Sequence, residues 1–186
     1  MNELLWFVSR ATGTASIVLL TAVLVLGALT AGRRSRAVSQ TVVVGLHRSL
    51  ALGTSAFLLA HIATAIVETY VSIDWISAVV PFTSGYEPLW VGLGTLAFDI
   101  VLAVVATSLP RHRLSRRVWR AVHLTAFALW PMALVHGYAM GTANEPLLRL
   151  VPVACALVGG AALVWRALAG HADQTRRRAV LTQEWS

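Results

Sequence analysis

The sequence predicts an all-α membrane protein, a bundle of five transmembrane helices with its N-terminus outside and its C-terminus in the cytoplasm. Three observations lead there. Hydrophobic residues fill 57% of the 186 positions and charged residues only 12%, far less charge than a water-facing domain of this length carries. The apolar residues gather in runs at about 4–31, 42–69, 88–109, 118–140 and 147–169. Each run meets the roughly 20 residues needed to cross a hydrocarbon core about 30 Å thick. Finally, the first and third connections and the tail are rich in Arg, whereas the N-terminus and the second and fourth connections are almost without it. The positive-inside rule converts that alternation into the stated orientation, with no loop in conflict.

The first run begins almost at the initiator Met. A signal peptide is the competing reading, but no basic segment precedes the run and it exceeds the usual apolar core of a leader. It reads as a retained span. Arg10 stands near its start, on the side where positive charge is not favoured by topology. The loop AGRRSRAVSQ, with Arg33, Arg34 and Arg36, leads to the second run, GLHRSLALGTSAFLLAHIATAI, which holds His47 and His61 and ends near Glu68 and Tyr70. Residues 70–87, YVSIDWISAVVPFTSGYE, contain Asp74, Glu87 and a proline, and their apolar part is too short to span. They read as an interfacial or re-entrant piece with Trp75 and Tyr86 at headgroup level.

The third run carries Asp99 beside Phe98 and stops at Pro110; Asp99 reads as structural rather than as part of a proton path. RHRLSRRVWR follows, with Arg111, Arg113, Arg116, Arg117 and Arg120. The fourth run, VWRAVHLTAFALWPMALVHGYAM, holds His123 and His136, and GTANEPLLR joins it to the fifth. The chain thus reads as one transmembrane domain over 1–170 and a basic cytoplasmic tail over 171–186, containing Arg176, Arg177 and Arg178. Gly92, Gly94, Gly159 and Gly160 read as points of close helix packing. The net charge of +7, all of its positive part from Arg, marks cytoplasmic loops rather than nucleic-acid binding. Cys155 is the only cysteine, which excludes an intrachain disulfide, a cysteine-ligated zinc site and an iron–sulfur cluster.

The chemistry rests on the histidines. His47 and His61 are fourteen residues apart and His123 and His136 thirteen, about 20 Å along each helix. Both helices are even-numbered and run the same way, so His47 and His123 share the cytoplasmic level and His61 and His136 the outer one. One imidazole from each helix at each level makes two bis-histidine sites stacked across the bilayer between helices 2 and 4, a ligand set suited to haem iron. Zinc or copper also takes histidines, but levels about 20 Å apart do not form one compact site. Phase is the difficulty: fourteen residues return to within about 40° of one face, thirteen leave it about 140° away. Pro131 lies between His123 and His136, where a kink changes the phase. Arg48 and Arg120 flank the inner histidines as propionate partners or as ordinary positive-inside charge, and Arg10 suits an outer propionate or an anionic acceptor. A second class of function stays open, a non-redox carrier that uses the histidines as proton relays.

These elements resemble the ferric reductase-like transmembrane domain shared by ferric reductases and NADPH oxidases. The matching residues are LHR at Leu46 to Arg48, His61, WRAVH ending at His123, and HG at His136 and Gly137; SRATGTAS around Arg10 looks like the family helix before the first pair. The resemblance covers roughly residues 4–168. It implies two b-type haems passing electrons from a cytoplasmic donor to an external acceptor such as ferric iron, dioxygen or a periplasmic redox protein. The chain departs from the family in having five spans rather than six and about seventeen residues after the last one. No FAD or NAD(P)H site is expected on it, since no dinucleotide motif is present. The donor expected is therefore a separate flavoprotein reductase or a membrane quinol, and the location the cell membrane. The basic loop and tail suit an acidic flavoprotein or anionic lipid equally.

Overall fold

The computed structural model describes residues 2–30, 40–69, 71, 73–142 and 145–183, with side chains of the last helix described to residue 169. It contains α1 (Asn2–Thr30), α2 (Gln40–Val67), α3 (Pro88–Ser108), α4 (Arg116–Leu124), α5 (Ala126–Ala139) and α6 (Leu147–Gln183). Among the described residues there is no strand. Five segments are long and apolar enough to cross a membrane, α4 and α5 together making one of them. Arg33, Arg34, Arg36 and Tyr70, and the side chains of Arg176, Arg177 and Arg178, lie outside the described residues.

The spans hold many hydroxyl residues without stranding them. Thr12, Ser16, Thr21, Thr54 and Thr64 each return their hydroxyl to the carbonyl four residues back, at 2.6–2.8 Å. In lipid, where no water can serve, this internal bond is what lets a hydroxyl sit mid-helix. α1 is the hub, packing along α2 on one side and α6 on the other and also touching α5; α3 and α6 both pack on α5. The small core joins Ile17, Trp130, Leu134 and Cys155. Trp130 donates its indole N–H to Thr21 Oγ1 at 3.1 Å and lies over Gly159, where a Cβ would come within 2.9 Å of the ring. Gly159 is thus a packing glycine, whereas Gly160 faces nothing within 4 Å.

Residues 73–87 form a chain of turns rather than a helix. Asp74 accepts from the Ser77 N–H at 2.9 Å and from its hydroxyl at 2.6 Å, and Thr95 of α3 donates to the Ser77 carbonyl at 2.6 Å. Phe82, with φ of 67°, presses on Gly92. Gly92 therefore seats this segment and is not a helix–helix contact. Trp75 is exposed and Tyr86 half-buried. The segment packs as a cover over one end of the bundle.

The second histidine helix is not continuous as expected. It breaks at Thr125, six residues before Pro131. Pro131 cannot donate to Phe127 and its ring crowds that carbonyl. The chain tightens just upstream: Thr125 N–H bonds Val122 O at 3.0 Å and Ala128 N–H bonds Thr125 O at 2.9 Å, both three residues back. Each residue wound at three per turn adds about 20° of rotation over the α-helical value. The break thus makes up part of the phase change that thirteen residues of regular helix would lack. α6 stays helical to Gln183, into the stretch read as the basic tail.

Candidate functional site

α2 packs closely on α1 but is not among the helices that pack closely on α4 or α5. Histidines face each other across that cleft at two levels. His61 and His136 have ring centroids 6.3 Å apart, and His47 and His123 are also 6.3 Å apart. The structure brings together both pairs that the sequence assigns to one level each.

The pair His61 and His136, which the sequence assigns to the outer level, is held by a device that repeats. His61 Nδ1 lies 2.7 Å from the carbonyl of Ser9, and His136 Nδ1 lies 2.7 Å from the carbonyl of Trp90. A carbonyl only accepts, so each Nδ1 carries the proton and each Nε2 keeps its lone pair. Four residues beyond each carbonyl is a glycine. A Cβ on Gly13 would stand 2.9 Å from His61 Nδ1, and one on Gly94 would stand 2.7 Å from His136 Cε1. Only a bare backbone lets the imidazole reach the carbonyl one turn below. Gly94 is therefore an imidazole seat rather than a helix-packing glycine, and Gly13, Ser9 and Trp90 were not singled out from the sequence.

The inner pair is oriented differently. His123 stacks on Trp119 at 4.8 Å and 16°, and the Arg111 guanidinium lies 4.2 Å over the Trp119 ring. His123 Nδ1 and Trp119 Nε1 are buried without hydrogen-bond partners. Arg111 and Trp119 thus pack beside His123, and add to Arg48 and Arg120, which the sequence offers as propionate partners or as positive-inside charge. Both of those are exposed and make no described contact with a histidine ring. The signal for Trp119 was its place four residues before His123 on one helix face.

A cavity lies beside the His61–His136 pair, lined among others by Arg10, Gly13, His61, Glu68, Tyr86 and His136. Arg10 packs its guanidinium 4.2 Å over Trp6, and its Nε is buried and unbonded. Glu68 is 6% exposed, with Oε1 also unbonded. Burial pushes the Glu68 carboxyl above its ordinary range, and Arg10 nearby opposes the shift. In the covering segment, the two bonds from Ser77 hold the Asp74 carboxyl below its ordinary range. Asp99 is half-buried in α3 and does not line this cavity. Among the described residues no three His, Cys, Asp or Glu side chains gather as a metal cluster. What the chain offers is two separate pairs of imidazoles.

The family described as ferric reductase like transmembrane component matches residues 12–134. That stretch includes His47, His61 and His123 and ends just before His136. No curated protein and no solved structure matches the chain.

Proposed function

The chain belongs to the ferric reductase like transmembrane family, and from that premise we propose that it carries electrons across the cell membrane by way of two b-type haems. His47 and His123 would hold the inner group and His61 and His136 the outer one. The observation that carries this reading is the equal 6.3 Å separation of the two ring pairs. Two imidazoles at that separation leave room for a single metal atom between them, so each pair would be suited to hold one haem iron. The free Nε2 of each outer ring and the glycine seats behind them fit the same group.

Bound haem supplies reversible one-electron chemistry. The rest is done by the chain. The Ser9 and Trp90 carbonyls fix the outer tautomers and raise imidazole basicity. Trp119 fixes the inner ring by stacking. With two histidines holding each group, an acceptor would be met by the chain's own residues at the cavity wall, where Arg10 and Tyr86 stand. The acceptor is ferric iron, dioxygen or a periplasmic redox protein. The donor is a separate flavoprotein or a membrane quinol on the cytoplasmic side, where the Arg-rich connections put the inner level.

The test is a pyridine-haemochrome assay on the wild type and on His61→Ala, each expressed with ample haem. Two b haems per chain are expected, falling to about one in the variant with the outer level lost. A colourless wild type overturns the reading and leaves the histidines as proton relays of a carrier.

A further inference from the structure

Glu68 stands at the outer end of α2, its N–H still bonded to Thr64 O at 3.0 Å. It is almost wholly buried, lines the outer cavity, and has a carboxyl oxygen that no donor reaches. A buried acceptor left this way costs free energy as a carboxylate and much less as a neutral acid. Its surroundings decide what it answers to. α1 brings Arg10, whose Nε is likewise unbonded, and the covering segment brings Tyr86. α5 brings His136, and α2 itself brings His61 two helical turns below. α3 and α6 line the cavity with uncharged residues only. No ion pair joins Arg10 and Glu68 among the described residues, although each acts on the other electrostatically.

From this placement we propose that Glu68 is a proton site coupled to the electron held between His61 and His136. It takes up a fraction of a proton from the outer side as one electron arrives and gives it up as the electron leaves. Arg10 is the counter-charge that sets the pH at which this happens. The proposal rests on the haem reading above. Its size follows from distance: seven residues of helix separate Glu68 from His61 by about 10 Å. At that range, with an effective dielectric near 20, one added negative charge raises the proton affinity of Glu68 on the order of tenfold. Each electron that enters the cavity is then partly balanced by a proton, and an acceptor that gains hydrogen finds both at one mouth. The upward shift of the Glu68 carboxyl accords with a proton held above the ordinary carboxylate range.

The sign is fixed. At low pH Glu68 is protonated whether or not the electron is present, so the outer potential is high and flat. As pH rises, the oxidised state loses its proton first and reduction becomes harder. Above the second value the potential is low and flat again. Redox titrations of the haem-loaded protein, followed by visible spectra from about pH 5 to about pH 9, span the range in which buried carboxyls titrate. The outer potential, identified as the one lost in His61→Ala, is expected to fall by a total of about tenfold in equilibrium constant, or about 59 mV for one electron. In Glu68→Gln it is expected to stay flat at the acid limit, with the inner potential unchanged. A step that persists in Glu68→Gln, or a flat wild type, overturns the proposal. Should Glu68→Gln not assemble, Arg10→Gln keeps the carboxyl and moves the step to higher pH; an unmoved step overturns it equally. A coloured protein with a pH-independent outer potential removes this proposal alone, while a colourless one removes the haem reading with it.

Discussion

At the scale of single residues, the outer site is made by what is missing beside the imidazoles. His61 and His136 each reach a main-chain carbonyl on another helix because the residue one turn further on is glycine. The two effects of adding a methyl there oppose each other. Alanine in place of a mid-helix glycine favours the helix by about 1 kcal/mol, but at Gly94 the new Cβ would stand 2.7 Å from the His136 ring. Gly94→Ala is therefore expected to keep its helix content and melting temperature while losing most of its outer haem. Haem stoichiometry beside circular dichroism checks this, and full loading with an unchanged spectrum would count against the seat. The histidines themselves were legible, because spacing along one helix and the sidedness of the arginines put them at common heights. Their supports were not. Ser9 and His61 are 52 positions apart and Trp90 and His136 are 46, and no periodicity within a span encodes which foreign carbonyl it will meet. Arg48 and Arg120 drew notice as neighbours of histidines in sequence, whereas Arg111 and Trp119 are the neighbours in space.

Among the elements, the break between α4 and α5 carries the most consequence. A straight helix would turn His123 and His136 to different sides, and the tightened turn at Thr125 reduces that conflict. Pro131→Ala restores a donor and lifts a penalty of up to about 3 kcal/mol for proline within a helix. The haem-free chain is expected to melt higher, yet to bind about one haem per chain because the two rings no longer share a face. A variant that binds two haems would show that the kink is not what sets the phase. The sequence exposed the mismatch and the proline, but not where the chain would give way. A bend is placed by the packing around it, here by α5 wedged among α1, α3 and α6. The covering segment is similar. Its shortness and its proline excluded a span, while its grip on α3 through Ser77, Thr95 and Gly92 depends on contacts made only after folding.

For the whole molecule, five apolar runs gave the number and order of spans, and the arrangement adds an asymmetry. α1, α5 and α6 pack on one another and α3 packs on α5, whereas α1 is the one helix against which α2 packs closely among the described residues. The cleft is bridged by side chains at two heights. Helices with few buried contacts open most readily, and a ligand bound only to the closed form stabilises it by mass action. In the haem-free protein the amides of α2 are thus expected to exchange hydrogen fastest among the spans, and to gain the most protection on loading. Measured in detergent or nanodiscs, equal protection of α2 and α5 before loading would refute this division.

That division also bears on the life of the protein in the cell. A newly inserted chain whose second span rests on a single neighbour remains open along one seam until something joins the two sides. Quality-control proteases act on segments that open, so unjoined copies are cleared while completed ones persist. If the proposed haems join the two sides, abundance is expected to follow the supply of cofactor at the time of synthesis, and not the rate of synthesis alone. On the haem reading, the cleft beside α2 would serve as the checkpoint of its own assembly.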